Sequence, residues 1–217
     1  MIINVHAGHN PAGKIACGAI GLLDESAEAR KIKDVVVKFL TEQGHTVYDC
    51  TCNNGTSVSD VLNKIVSKCN SHDVDLDVSI HLNAGGGHGV EVLVYDVSKN
   101  SPVTIAQNVC NEISALGYRN RGIKIRPELT VLCRTKAPAM LVECCFVDSN
   151  EDYNIYSAEN IGKAIVKGIT GKVVEKEPEY IYRVQLGAFS SYENAKKMVE
   201  RLADKYDLES YVTKVEK

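Results

Sequence analysis

No apolar run in this 217-residue chain approaches the roughly 18 residues that a membrane-spanning helix needs, so a membrane partner is not expected. An excess of positive charge is missing as well. The 25 Lys and Arg stand against 28 Asp and Glu, for a formal net charge of −3 and a pI near 6.1. General nucleic-acid binders carry a basic surface, so that partner class is not expected either. The N-terminus lacks the basic stretch and long apolar core of a secretory leader. It opens Met1-Ile2-Ile3-Asn4-Val5-His6-Ala7-Gly8-His9, a short strand pattern running into a polar turn. Synthesis in the cytoplasm without a signal peptide is the expectation, with any action outside the cell following release. Eight cysteines are present, but they form no CxxC pair and no zinc-ribbon spacing. Free buried thiols in a reducing compartment are therefore expected. The glycine-rich run at 85–89 lacks the GxxxxGK[ST] pattern and joins two strand patterns, which excludes a phosphate loop.

What is there is ordinary globular protein: 44% hydrophobic and 24% charged residues. At about 150 residues per domain, the length allows one domain with a small appendage. Strand and helix patterns alternate over residues 1–172. Strands are expected at 2–6, 45–50, 76–82, 90–95, 129–133 and 139–146. Helices are expected at 25–43, 57–70, 102–116 and 158–169. In the first helix, Val35, Val36, Phe39 and Leu40 share one side, and Gly44 stops it. Ser57 or Ser59 is placed to cap the second. The alternation predicts an α/β fold with a mixed, mostly parallel sheet and helices on both faces. Residues 173–180 are charged, contain a proline and read as a linker. Residues 181–217 then read as a small βαβ unit, half of a ferredoxin-like repeat, with strands at 182–186 and 209–215 around a helix at 191–206.

Three residues have the chemistry of metal ligands. His9 follows the first strand, Glu25 opens the first long helix, and His81 lies near the end of the third strand. Two imidazoles and a carboxylate suit a catalytic zinc with one open position. Their separation in sequence leaves this unproved, since a lone His is more often structural and a helix-start Glu favours the dipole. Glu143 is the fourth candidate. It stands alone in Ala139-Met140-Leu141-Val142-Glu143-Cys144-Cys145-Phe146, where an ionised carboxylate is costly unless paired. Burial would raise its pKa toward the range useful to a general base. The alternative is a solvent-facing Glu at a strand end. His6 reads as structural and on the opposite strand face from His9. His88 is placed to touch substrate or to sit in a plain turn, while His45 and His72 read as surface positions.

Together these segments resemble the zinc-dependent N-acetylmuramoyl-L-alanine amidases of the Amidase_3 type. The resemblance rests on Ala7-Gly8-His9, Glu25, Ser79-Ile80-His81-Leu82-Asn83-Ala84 and Pro138-Ala139-Met140-Leu141-Val142-Glu143, in that order. Asn120-Arg121-Gly122 and Val131-Leu132-Cys133-Arg134-Thr135 add to it. It implies that His9, Glu25 and His81 bind Zn2+ and that Glu143 is the catalytic carboxylate. It also implies a peptidoglycan hydrolase that cuts the amide between N-acetylmuramic acid and L-alanine with zinc-activated water, as an endolysin or autolysin. The chain departs from the family pattern at His6, where Asp is frequent, and at Ala29, where Asn is frequent. A zinc peptidase or deacetylase acting on another wall amide is the alternative, and a catalytically silent wall-binding protein the third class. The segment Tyr182-Arg183-Val184-Gln185-Leu186-Gly187-Ala188-Phe189 resembles the start of a SPOR repeat, a glycan-binding family. Half a repeat leaves open strand edges, which a homodimer through residues 180–217 would close.

Overall fold

The computed structural model describes residues 1–98, 101–173, 188–206 and 211–212. The chain divides into two units, Met1–Glu175 and Lys176–Lys217. In the first, β1 (Ile2–Ala7) leads to α1 (Glu25–Glu42), β2 (Thr46–Asp49), α2 (Val58–Cys69), β3 (Leu76–Asn83) and β4 (Val90–Val94). Then come α3 (Val103–Ser114), β5 (Asn120–Ile125), α4 (Thr130–Arg134), β6 (Ala139–Phe146), α5 (Asn150–Asn154) and α6 (Ala158–Thr170). The second unit contributes α7 (Tyr192–Tyr206), where the sequence pattern places a helix. The strands expected at 182–186 and 209–215, and the homodimer contact built on them, lie outside the described residues.

The local sequence explains the main elements. Asp24 caps α1 by accepting the Ala27 amide, and Glu25 and Glu28 place negative charge at the positive end of the helix. Ile32, Val36 and Leu40 recur every four residues and are fully buried, while Val35 and Phe39 flank them half-buried. Gly44, at φ +83°, ends the run in a conformation that favours glycine. Ser57 caps α2, as its position suggests.

The sheet order is β2-β1-β3-β6-β4-β5. All neighbouring pairs are parallel except β4 against β6. Ile3, Val5, Val78, Ile80, Met140 and Val142 line one face and form the larger core with α1, α3 and α6. Leu93, Leu141, Val131 and Leu132 join α2 in a smaller core on the other face. The carboxyl ends of β1, β3 and β6 lie side by side, the place where open α/β sheets hold their ligands.

Two expectations are corrected. Residues 129–133 are not a strand; they enter α4, which packs on α2. Both sides of β6 are already taken by β3 and β4, and a turn from Arg126 to Leu129 through Pro127 leads the chain off the sheet. The missing strand is β5, in half-exposed residues where no apolar alternation marks it. All eight cysteines are free thiols, six of them buried, but Cys17 is only half-buried and Cys133 is exposed. Reductant is therefore expected to leave the intact mass unchanged; a gain of two hydrogens per cysteine pair in mass spectrometry would overturn that. None of the described helices is long and apolar enough to cross a membrane.

Candidate metal centre

His9 lies just beyond β1, in a left-handed backbone conformation (φ +61°) that non-glycine residues rarely adopt. Arg30 of α1 braces this turn. Its Nη2 donates to the carbonyls of His9 and Cys52, both at 3.0 Å, and its Nη1 donates to Ser26 O at 3.0 Å and Ser26 Oγ at 2.8 Å. Asn10 is fully buried and ties two loops together. It donates to the carbonyls of Ile15 and Gly55 and accepts the Gly55 amide, each at 2.8–2.9 Å.

Glu25, the first residue of α1, is buried between the two imidazoles. Its Oε1 lies 3.0 Å from His9 Nε2 and 3.0 Å from His81 Nδ1. Its Oε2 accepts the Ala19 amide at 2.9 Å. The ligand atoms of His9, Glu25 and His81 all lie within 4.8 Å of one another, the one such group among the described residues. Glycines make room for them. A Cβ on Gly8 would stand 2.0–2.6 Å from the His81 ring, and one on Gly18 would stand 2.5 Å from Glu25 Oε2.

The protonation states suit a cation. Burial alone would raise the Glu25 pKa, but its hydrogen bonds with His81 and His9 outweigh that and hold the carboxyl well below its usual range. Burial lowers the His81 pKa, with Glu25 opposing, so its ring favours the neutral form a metal needs.

Glu143 lies in register beside His81 on β3 and opposite Glu91 on β4. Its Oε2 is buried without a hydrogen-bond partner, which is rare for a carboxylate oxygen. Burial, then the charges of Glu25 and Glu91, push its pKa up to about 8. Glu91 is itself held by Asn83 Nδ2 at 2.9 Å and Arg121 Nε at 2.8 Å. The Arg121 guanidinium also lies 4.9 Å from the Phe146 ring centroid. His9, Glu25, His81 and Glu143 line one cleft of about 320 Å³, together with Leu93, Leu129, Leu141 and Arg126.

The remaining histidines stand apart. His6 is buried one step below His81 on the same sheet face, its Nδ1 3.5 Å from Ser79 Oγ. Burial lowers its pKa to about 3. The alternation argument relating it to His9 does not hold, because β1 ends at Ala7. His88 faces Glu151 at 3.6 Å and does not line the cleft. Its glycine-rich loop is a pinned turn, with Gly85 and Gly86 donating to Asp148 and Gly89 to Asp152. His45 and His72 are partly buried; His45 meets the N-terminus at 3.1 Å and His72 stacks on Tyr48. Sequence reasoning missed Arg30, Asn10, Glu91 and Arg126. Only Glu91 carried a usable signal, the same lone carboxylate in an apolar strand that marks Glu143.

Comparison with known proteins points to a family. Residues 1–174 match the family model described as N-acetylmuramoyl-L-alanine amidase, and residues 178–217 match the SPOR domain model. An uncharacterized 38.4 kDa protein of Clostridium perfringens is 36% identical over 186 residues, covering 82% of this chain and 53% of that protein. The N-acetylmuramoyl-L-alanine amidase CwlM of Bacillus licheniformis is 30% identical over 141 residues, covering 62% of this chain and 55% of that protein. The chain thus spans about half the length of these curated relatives. Among solved structures, the catalytic domain of the CD27L endolysin targeting Clostridia Difficile is similar with a TM-score of 0.74 at 28% identity, covering 81% of this chain and 99% of that one. With the amidase model spanning residues 1–174 of 217, the chain belongs to the N-acetylmuramoyl-L-alanine amidase family.

Proposed function

We propose that this chain is a peptidoglycan hydrolase that cuts the amide between N-acetylmuramic acid and L-alanine. In this reading His9, Glu25 and His81 hold one zinc ion and Glu143 moves the protons. Residues 1–172 are the catalytic domain, 173–180 a linker and 181–217 a partial SPOR-like wall-binding or dimerisation unit. The observation that carries it is the donor cluster of two imidazoles and a carboxylate beside Glu143, whose buried Oε2 has no partner. Three protein ligands with a position left open are the donor set of catalytic zinc. The SPOR match over residues 178–217 supports peptidoglycan as the partner.

A bound zinc supplies Lewis acidity, polarising a carbonyl and acidifying water. The rest falls to the chain. Glu25 contributes an ionised oxygen between the imidazoles, and the Ala19 amide holds its other oxygen in place. The Glu143 carboxylate accepts a proton from the attacking water. It delivers that proton to the departing L-alanyl nitrogen as the C–N bond breaks and a C–O bond forms. The products are the lactyl carboxylate and a free L-alanine amine. With a divalent cation held by His9, Glu25 and His81, the Glu143 pKa would fall from its metal-free value, which would leave the carboxyl ionised to act as base.

Mass spectrometry of peptidoglycan digested by the zinc-loaded protein tests this reading. The expected product is a stem peptide with a free L-alanine amine, together with muramic acid that keeps its lactyl carboxylate. An amine freed inside the stem, or released acetate, would overturn it in favour of a peptidase or deacetylase.

A further inference from the structure

The cleft is lined by His9, Glu25, His81 and Glu143 and also by Leu93, Leu129 and Leu141. Leu141 and Leu93 sit two residues along β6 and β4 from Glu143 and Glu91. Of the residues lining the cleft, Arg126 alone is cationic. Its backbone is fixed at both ends. The Arg126 amide donates to Val94 O at 2.9 Å, and its carbonyl accepts the Leu129 amide at 3.2 Å across the Pro127 turn. Its side chain is about half exposed and pairs with Glu128, itself 58% exposed. Such an exposed pair contributes little and can be exchanged for another carboxylate at small cost. The nearby Arg121 is not available in this way, being committed to Glu91 and stacked on Phe146. The positive charge of Arg126 also acts on Glu143 and Glu91, so it stands within electrostatic reach of the reacting centre.

An amide at the donor cluster, small apolar groups against the leucines and a carboxylate at Arg126 form one pattern of substrate chemistry. A muramoyl-L-alanyl-D-glutamyl stem has that pattern: two methyl groups flank the scissile amide, and the second residue, linked through its side chain in the wall, carries a free α-carboxylate. We propose that Arg126 is a specificity residue that binds the free α-carboxylate of the stem's second residue, so that the protein prefers acidic stems over stems amidated at that position. This rests on the amidase reading above. Glu128 acts as the resident competitor, occupying the guanidinium until the substrate carboxylate displaces it.

The test compares kcat/KM of the full zinc-loaded chain on N-acetylmuramoyl-L-Ala-D-Glu and on the same compound with the α-carboxylate converted to an amide. Losing one charge-assisted hydrogen bond in a half-exposed site corresponds to about a tenfold preference for the acid. Arg126→Gln is expected to bring that ratio close to one, mainly through KM. Arg126→Lys keeps part of it, because the charge remains while the planar fork is lost. Glu128→Gln raises it by freeing the guanidinium. Equal wild-type cleavage of the two compounds, or a preference unchanged in Arg126→Gln, overturns the assignment of Arg126 and leaves the amidase reading standing. Failure to cut either compound at the muramoyl amide overturns both.

Discussion

Glu143→Gln is expected to lower kcat by at least about 10²-fold, the low end for general acid–base catalysis, while bound zinc stays at one per chain. Gln keeps the shape and the strand register with His81 and Glu91 but cannot take a proton. Glu143 stands outside the group of donor atoms formed by His9, Glu25 and His81, so the metal has no need of it. Rate measurements on released L-alanine amine, with elemental analysis of the same sample, check both halves. A variant within a few-fold of wild type would return Glu143 to a structural role.

The same substitution has a signature in the metal-free protein. Burial raises the Glu143 pKa from its ordinary 4.5 to about 8. Between those values the folded chain keeps a proton that the unfolded chain has released. Stability from this group therefore falls as pH rises from about 4.5 through 8. Gln removes that loss. In chelator, Glu143→Gln is expected to melt higher than wild type at pH 8, with the gap closing toward pH 5. A gap independent of pH would show that the carboxyl is not held protonated by burial.

His81→Ala is expected to lose bound zinc and, with it, activity. Two ligands make a poor site, and outer-shell partners alone already cost about 10–100-fold in affinity when removed. The loss here exceeds that, because His81 both supplies a donor atom and hydrogen-bonds the buried Glu25. His88→Ala serves as the comparison, since His88 pairs with Glu151 away from the cleft; it should keep its zinc. Elemental analysis of both purified variants decides. Full zinc occupancy in His81→Ala would remove it from the ligand set.

Where the sequence was readable, the signal was local and long enough to be periodic. The first helix runs for 18 residues with an apolar face and a terminal Gly44, so its pattern and its stop were legible, while the Asp24 cap came only with the structure. Residues 129–133 were not, because an apolar run that short fits a strand and a helix turn equally well. What makes α4 a helix is the Pro127 turn and an already filled sheet position. The edge strand β5 carries Asn120, Arg121 and Lys124 and buries no residue fully, so it shows no alternation.

The candidate site divides along the same line. Its residue types were visible alone: a carboxylate in an apolar strand, a Glu opening a helix, two histidines at strand ends. Their assembly was not, because His9 and His81 meet only when β1 and β3 pair in parallel, and Glu25 joins them only through the brace of Arg30 and Asn10 on the loop between. Those braces work through backbone carbonyls, which every residue possesses and no side-chain pattern reports. Sequence by itself determined the order of elements and the chemistry available. Tertiary structure alone decided which groups share the cleft: the two imidazoles beside Glu25 hold it ionised, while burial, then the charges of Glu25 and Glu91, raises the pKa of Glu143.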